Sequence, residues 1–306
     1  MIRWGLCCQF LDAPIRFRTA THRYVSGLDA GARRAYLAGI ARDNAAALAQ
    51  AVDRCHALGI GAFRINSQIL PLATHPVTGY ALADLEGPDA EGLEAAFAAI
   101  APHAARCGIR LSLHPDQFVV LNSEREAVRE ASRRELEFQC WVAETVGADV
   151  VTLHVGGATG GKEAALERLA RAVDTLSPRA RARLALENDD RLFSPADLLP
   201  FCARTGLPLV YDSHHHRCNP DALSVEEATL RSAGTWGARE PYFHVSSPRD
   251  GWDARNPRPH ADYLDPADLP PLWRGMPLTV DVEAKAKERA VLAIMGEVGA
   301  RPVGAV

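Results

Sequence analysis

The chain has 306 residues, of which 47% are hydrophobic, so it can bury a large core as two domains or as one large barrel. Its formal net charge of -4 gives no support to nucleic-acid binding through bulk charge, and any such site must be basic locally. The seven cysteines form no C-x-x-C pair and no apolar stretch approaches about 18 residues, which predicts a cytoplasmic protein without a disulfide framework, membrane span or secretory signal.

Short apolar runs alternate with longer amphipathic stretches along the chain. Stretches such as "NAAALAQAVDRCHALG" (44–59) have apolar residues at three- and four-residue spacing, which is typical of helices. Several of them end at a glycine just before the next run, namely Gly59, Gly108 and Gly206. The runs typical of buried strands are Ile2–Cys8, Gly61–Ile65, Ile109–Leu113, Asp149–Leu153, Arg183–Leu186, Leu207–Tyr211, Tyr242–Val245 and Leu278–Val282.

Eight such strand–helix units predict the α/β fold class and a parallel sheet buried on both faces. This number favours a single (β/α)8 TIM barrel over an open sheet. No change of composition marks a linker, so we expect one domain over residues 1–306. The Pro-rich stretch 257–271 predicts a long loop before the eighth strand.

Residue types that bind metals follow six consecutive strands. Because the carboxyl ends of barrel strands form one face, where the active sites of this fold lie, we expect these side chains to meet there. One polar residue at a strand end is usually a cap or loop contact, but a series of imidazoles and carboxylates favours a metal centre. The residues are His114, His154, Glu187, Asp212 with the histidines of "DSHHHRCNP" (212–220), His244, and Asp281 with Glu283.

With these residues in place, the sequence resembles the UV damage endonucleases, which nick DNA beside photolesions. The resemblance covers nearly the whole chain and follows the order of the family's motifs. That family is similar in fold to metal-dependent abasic-site endonucleases and, more remotely, to xylose isomerase-like barrels. The matching segments are "FRINSQILP" (63–71), "HPDQFVVLNS" (114–123), "HVGG" (154–157), "ENDD" (187–190), "DSHHHRCNP" (212–220), "HVSSPR" (244–249), "HADYL" (260–264) and "DVEAKAKE" (281–288).

The resemblance implies two or three divalent ions, with manganese as the metal. A carboxylate shared by two ions suits phosphodiester cleavage, since one ion can activate water while the other stabilises the leaving oxygen. It implies catalytic roles for Glu187 and His244, and we expect His214 and His216 to face other ways. The implied ligands are His114, His154 and Glu187 for one ion, Glu187, Asp212, His244 and Glu283 for a second, and His215 and His260 for a third.

Two loops on the same predicted face carry basic residues that could meet phosphates. Ordinary solvated loops are the alternative interpretation. We expect DNA contacts from Arg64 and from the arginines of "APIRFRTATHR" (13–23) and "SPRDGWDARNPRPH" (247–260), which include Arg16, Arg18, Arg249, Arg255 and Arg258.

Gln117 and Phe118 match the positions that the family inserts into the duplex at a lesion. An amide and a flat ring suit this wedge role, because such side chains can enter an unstacked base step. A core position for Phe118 is the alternative.

Four positions depart from the family's usual residues. Leu6 and Phe10 replace a tyrosine and an asparagine, Phe118 replaces a tyrosine, and Tyr242 replaces a lysine. Alternation along the seventh strand places Tyr242 on the same face as His244. We therefore expect Tyr242 to take part in catalysis by donating a hydrogen bond to a metal-bound water or a phosphate oxygen, with ligation as a phenolate as the alternative.

The leading hypothesis is a metal-dependent DNA repair endonuclease that cuts damaged double-stranded DNA 5′ of UV-induced or related lesions, with no obligate protein partner. The alternatives are a sugar isomerase or abasic-site endonuclease-like enzyme on the same barrel, and a lesion-binding protein without turnover. "GGATGGKE" (156–163) fits G-x-x-x-x-G-K but lacks the following Ser or Thr, so we expect a turn that opens a helix and not an ATP site.

Overall fold

A computed structural model of the chain describes residues 1–299, so residues 300–306 of the predicted domain lie outside the described part. Eight strands in residues 1–299 form one parallel sheet in the order β6-β5-β4-β3-β2-β1-β8-β7. They are β1 (Arg3–Cys7), β2 (Ala62–Ile65), β3 (Arg110–Leu113), β4 (Val150–His154), β5 (Leu184–Glu187), β6 (Leu209–Val210), β7 (Tyr242–Val245) and β8 (Thr279–Val282).

The two ends of this strand order meet and close the sheet. Asp212, just after β6, forms a parallel bridge with His244 of β7. The amide of His244 donates to the carbonyl oxygen of Tyr211 at 3.0 Å. The predicted α/β barrel is therefore confirmed, and the carboxyl ends of its strands form one face.

Helices on the outside of the barrel connect successive strands. Gly59, Gly108 and Gly206 end three of them in the left-handed conformation, at the positions predicted from the sequence. No helix within residues 1–299 combines the length and apolarity that a membrane crossing requires. The helices are α1 (His22–Val25), α2 (Ala30–Leu58), α3 (Leu93–Ala98), α4 (Ile100–Cys107), α5 (Glu126–Val146), α6 (Lys162–Asp174), α7 (Pro178–Arg183), α8 (Pro195–Thr205), α9 (Ser213–Cys218), α10 (Val225–Gly234) and α11 (Glu288–Val298).

Two motifs singled out in the sequence, the three consecutive histidines and "GGATGGKE", have defined local structures. The three consecutive histidines lie in the short helix α9, which begins at an N-cap made by the Asp212 carboxylate and the amide of His215, 2.7 Å apart. Because successive helical residues are rotated by about 100°, the three rings point in different directions. "GGATGGKE" is a turn that opens α6 at Lys162, as predicted.

A second group of buried apolar side chains packs apart from the main core. It consists of Val150, Ala185, Val210, Trp236 and Tyr242. The predicted metal ligands lie at the carboxyl ends of the strands.

Candidate metal centre and nucleic-acid interface

The carboxylate of Glu187, at the end of β5, lies among four imidazoles from four different elements. Its Oε2 is 2.7 Å from Nε2 of His114 and 3.5 Å from Nε2 of His154. Its Oε1 is 3.0 Å from Nδ1 of His244 and 3.4 Å from Nδ1 of His215. One buried anionic group therefore contacts residues from β3, β4, β7 and α9.

Three further predicted ligands complete the cluster. Glu283 places Oε1 3.6 Å from Nδ1 of His244 and Oε2 3.6 Å from Nδ1 of His260. The fully buried Asp212 places Oδ2 3.6 Å from Nδ1 of His215. The structure thus brings all eight predicted ligands together at the carboxyl face of the barrel.

Within this cluster, two groups of three residues have ligand atoms within 4.8 Å of one another, and both include Glu187. The first adds His114 and His244, and the second adds Asp212 and His215. Imidazole and carboxylate are the donors that borderline divalent metals prefer. Because Glu187 belongs to both groups, its carboxylate is placed to serve as a ligand shared by two ions.

Several buried polar atoms of this cluster have no hydrogen-bond partner within residues 1–299. They include Nδ1 of His154, Oδ2 of Asp212 and Nε2 of His244. Buried polar groups in folded proteins are nearly always paired, so unpaired atoms such as Oδ2 of Asp212 call for a partner from outside the chain. The donor chemistry and the unpaired atoms together fit a site for divalent ions.

The charged groups of the cluster shift one another's pKa values. Burial alone would raise the pKa of Glu187, but the imidazoles of His154 and His244 and the hydrogen bond from His114 hold it well below its usual range. Burial opposes the charged form of His215, yet Asp212 and Glu187 raise the pKa of His215 to about 9. In His154 the burial effect dominates and lowers the pKa. The cluster therefore combines a carboxylate whose ionised form the imidazoles favour with an imidazole, that of His154, whose charged form burial disfavours.

The other two histidines of α9 have different partners. His216 lies 2.8 Å from the hydroxyl of Tyr211 and 3.1 Å from Asp221, so it packs within the scaffold. His214 lies 3.3 Å from the carbonyl oxygen of Ser246. Neither residue contacts Glu187, in line with the expectation that they face other ways.

A cleft of about 470 Å³ lies beside the cluster. Its walls include His114, His154, Glu283, Arg64 and Phe118. Since this cleft joins predicted ligands to predicted DNA contacts, it is the place where a substrate would approach the cluster.

Arg64 is buried in the cleft wall, with 8% of its surface exposed. Its guanidinium is 2.6 Å from Oε1 of Glu283 and 3.6 Å from Oδ2 of Asp281. One end of the guanidinium is therefore held by Glu283, and the contact of Arg64 with DNA stays a prediction.

Phe118 is 79% exposed, whereas Val119 beside it is buried. Gln117 is exposed as well. The core position considered for Phe118 is wrong, because the ring stands in solvent at the edge of the cleft. An exposed aromatic ring at this place is compatible with the predicted wedge, which stays a prediction.

The first basic loop is tied to the protein itself. The guanidinium of Arg16 donates to the carbonyl oxygens of Phe10, Ala13 and Ile15 at 2.9–3.1 Å. Arg18 pairs with Asp43. These arginines therefore offer less free charge to DNA than the sequence suggested.

In the second basic loop, Arg249 and Arg258 also have partners within the protein, whereas Arg255 does not form an ion pair in residues 1–299. Arg249 pairs with Asp250 at 2.8 Å, and Arg258 pairs with Asp190 at 3.1 Å. Arg255 is exposed and makes no ion pair within the described part of the chain. The rim is thus basic in composition but largely neutralised by neighbouring carboxylates.

Tyr242 lies one layer below the candidate metal centre. It is fully buried, its hydroxyl is 2.7 Å from Oγ of Ser112, and the guanidinium of Arg110 lies 5.1 Å from the centre of its ring. Burial raises the pKa of Tyr242 well above its usual value. This bond within the barrel favours a packing role for the hydroxyl, while the predicted catalytic hydrogen bond to a metal-bound water or phosphate and its alternative, phenolate ligation, stay predictions.

Leu6 and Phe10 also belong to the core. Leu6 is completely buried, and the ring of Phe10 stacks on that of Phe63 at 5.7 Å between centroids. These two departures from the family replace polar groups with packing and do not line the cleft.

Asp281 is a buried charged residue that the sequence analysis places among the strand-end residues but assigns to no ion. It is fully buried and faces Arg64 and His244. The signal in the sequence is a carboxylate between two valines of β8, where a buried strand is otherwise apolar.

A closed parallel barrel with buried carboxylates and imidazoles at its carboxyl face defines an α/β-barrel protein with a candidate divalent-metal site. The family model described as UV-endonuclease UvdE matches residues 2–303, and the chain belongs to this family.

Three known proteins are similar to this chain in sequence or fold. The chain is 36% identical to the UV DNA damage endonuclease of Deinococcus radiodurans, over 95% of this chain and 93% of that protein. The crystal structure of SacUVDE superposes with a TM-score of 0.84 at 26% identity, covering 98% of this chain and 100% of that one. Endonuclease IV from Thermus thermophilus has a TM-score of 0.60 at 21% identity, covers 96% of this chain and 99% of that one, and shows a shared fold alone.

Proposed function

We propose that this chain is a metal-dependent endonuclease that nicks double-stranded DNA 5′ of UV-induced or related base lesions. The observation that carries the proposal is the convergence of eight predicted ligands, with Glu187 at their centre, next to a cleft edged by the exposed Phe118. The relatives named as UV DNA damage endonucleases support the choice of substrate.

The proposed metals are two or three divalent ions, with manganese as the physiological metal. Such ions supply Lewis-acid activation of a water molecule and of the phosphate oxygens. Glu187 is the proposed shared ligand, with His114 and His154 on one side and Asp212 and His215 on the other. Its buried negative charge would hold both sides together, and His244, Glu283 and His260 would complete the set.

We propose that Gln117 and Phe118 enter the duplex at the lesion. Both are exposed in the loop that follows β3, a few residues after His114, so the loop carries the wedge and His114 together. Insertion at a damaged step would therefore bring the neighbouring phosphate toward the ligand cluster. Arg255 is the proposed unpaired phosphate contact, while Arg16, Arg18, Arg249 and Arg258 would act from the rim.

The alternatives make different demands on the site. A sugar isomerase would need a closed pocket, whereas the cleft here is edged by an aromatic ring that is 79% exposed. A lesion-binding protein without turnover would lack a ligand, and none of the eight is missing from the cluster in the described residues. An abasic-site endonuclease shares the proposed chemistry, so only the substrate separates it from the leading proposal.

We further propose that residues 1–306 act as one domain in the cytoplasm without an obligate protein partner. All seven cysteines are unpaired in the structure, which supports a reducing compartment.

The direct test compares three end-labelled duplexes: UV-irradiated, undamaged and abasic. The protein is stripped with a chelator, supplied with Mn²⁺ or left without it, and the products are separated by denaturing electrophoresis. We expect a nick 5′ of the lesion in the irradiated duplex and only with the metal. Equal cleavage without metal would contradict the proposal, and cleavage of the abasic duplex alone would favour the alternative substrate.

A further inference from the structure

The carboxylate of Asp281 occupies a space that the neighbouring strand leaves open. Asp281 of β8 is in register with Gly5 of β1. A Cβ atom on Gly5 would lie only 2.1 Å from Oδ1 of Asp281. Gly5 does not have a positive φ angle, so it is the missing side chain that matters here and not the backbone conformation. The pair Gly5–Asp281 thus places a charged group inside the barrel.

This charged group is buried without hydrogen bonds. Asp281 has no exposed surface, and neither of its carboxylate oxygens has a hydrogen-bond partner within residues 1–299. A buried carboxylate is stable only when it is paired with a charge or with hydrogen-bond donors. The residues that face it should therefore reveal what it does.

Two nitrogen atoms face Oδ2 of Asp281. Nε of Arg64 lies 3.6 Å away and Nε2 of His244 lies 4.0 Å away, and both nitrogens lack a hydrogen-bond partner in the described chain. Arg64 directs its other end to Glu283 at 2.6 Å. The guanidinium therefore balances the charge of Asp281 and leaves its carboxylate beside the imidazole.

The two nitrogens of His244 point to different groups. Nδ1 faces Glu187 at 3.0 Å and Glu283 at 3.6 Å, both of which are proposed ligands. Nε2 faces Asp281 on the opposite side of the ring. A histidine that binds a metal usually donates its other N–H to a carboxylate, which fixes the tautomer and the orientation of the ring.

We infer that Asp281 is a positioning residue for His244: it accepts the Nε2–H of the imidazole and so directs Nδ1 to the ion held by Glu187. The present 4.0 Å separation exceeds a hydrogen bond by about 1 Å. A rotation of the Asp281 side chain can close it, since no other group in residues 1–299 holds its oxygens by hydrogen bonds. The inference rests on the proposed function, because it assumes that His244 binds a metal.

The first test measures metal binding and not cleavage. Chelator-treated Asp281→Asn is titrated with Mn²⁺, and free Mn²⁺ is followed by electron paramagnetic resonance. We expect the same number of ions at saturation but an affinity about 10–100-fold weaker for one of them. Asp149→Asn is the matched control, because it removes a carboxylate at the opposite end of the barrel, and it should bind Mn²⁺ like the parent protein.

Other results would overturn the inference. Unchanged affinity in Asp281→Asn would make Asp281 a structural partner of Arg64 alone. Loss of one whole ion at saturation would make it a ligand. If the parent protein binds no Mn²⁺, the proposed function fails together with this inference, whereas normal binding and nicking in Asp281→Asn would overturn the inference alone.

A second measurement needs no variant and covers the case in which Asp281→Asn does not fold. The parent protein is labelled with ¹⁵N-histidine and loaded with Zn²⁺ as a diamagnetic probe. We expect the His244 resonances to show a proton on Nε2 and none on Nδ1. A proton on Nδ1 with a bare Nε2 would contradict the role given to Asp281.

Discussion

The two ends of the barrel use the same kinds of charged residue in opposite ways. At the amino-terminal end, Arg110 donates to the Asp149 carboxylate at 2.8–3.0 Å, to the carbonyl oxygen of Glu240 at 2.9 Å and to the hydroxyl of Thr279 at 2.9 Å. At the carboxyl end, Asp281, His244 and Arg64 all have buried atoms without a hydrogen-bond partner in residues 1–299.

This difference separates stability from function. A network in which each donor has an acceptor is complete within the chain, and in barrels the amino-terminal end contributes mainly to stability. A buried network with unpaired atoms is costly unless another group supplies the missing contacts. We therefore expect changes at the carboxyl end to affect metal binding and cleavage, and changes at the amino-terminal end to affect the free energy of unfolding.

The largest effect is expected for Glu187→Gln. The amide keeps the shape of the side chain but loses the charge that we propose is shared between ions. Because metal ions supply several kcal/mol to phosphodiester cleavage, we expect nicking of irradiated DNA to slow by a factor of at least about 10³. Single-turnover cleavage and Mn²⁺ stoichiometry measure the effect. Glu144→Gln, on the outer helix α5, is the control, and a Glu187 variant with near-normal rate and metal content would rule out the shared role.

The double substitution Gln117→Ala with Phe118→Ala tests recognition separately from chemistry. Unstacking a base step costs a few kcal/mol, so loss of the wedge should reduce the preference for damaged over intact duplex by roughly 10–100-fold. Competition binding with both duplexes measures this preference, and Mn²⁺ binding should not change. Leu230→Ala removes an exposed apolar side chain on α10 and serves as the control. Full discrimination by the double variant would show that the wedge lies elsewhere.

Arg110→Met tests the amino-terminal end. The variant keeps an unbranched side chain but leaves three acceptors with one donor fewer, so we expect the free energy of unfolding to fall by about 2 kcal/mol. Urea unfolding of the metal-free protein measures the loss. Arg179→Met is the control, since its more exposed ion pair with Glu144 should contribute less than about 1 kcal/mol. Cleavage per folded molecule should stay the same. A large loss of this activity would contradict the claim that the amino-terminal end of the barrel contributes to stability and not to cleavage.

The smallest effect is expected for Tyr242→Phe. The variant loses one hydrogen bond to Ser112, which is worth about 1 kcal/mol of unfolding free energy. Ser112→Ala should cost a similar amount, and the double variant should cost little more than either single one, because both remove the same contact. Cleavage by Tyr242→Phe should match the parent rate, whereas slower cleavage with unchanged stability would show that the hydroxyl reaches the reaction after all.

The sequence was sufficient for the barrel and for the convergence of the strand-end residues, because both depend on regular patterns, whereas His215 and His260 were assigned only from the family resemblance. Apolar runs mark the strands. Because the strand ends of a barrel form one face, the residues after each strand lie together on that face regardless of how the helices between the strands are built. His114 after β3 and Glu187 at the end of β5 are found in this way.

Depth within the barrel and pairing within loops were beyond that reasoning. Alternation placed Tyr242 on the same side as His244, but two residues along a strand span nearly 7 Å, which puts Tyr242 in the layer below. The loop that folds Arg16 back on the carbonyl of Phe10 has no period from which its shape could be predicted. Gly5 and Asp281 are far apart in the sequence, and only the register between β1 and β8 brings them together.

The central claim is that the buried carboxylates and imidazoles around Glu187 bind divalent ions. Crystals of the chelator-treated protein soaked in Mn²⁺, with diffraction recorded at a wavelength where manganese scatters anomalously, test it most directly. We predict at least two anomalous peaks within bonding distance of Glu187, one near His114 and the other near Asp212 and His215. A map without peaks at Glu187, while Mn²⁺ is present in the crystal and the Glu187 carboxylate is hydrogen-bonded only to histidines or water, would contradict the claim.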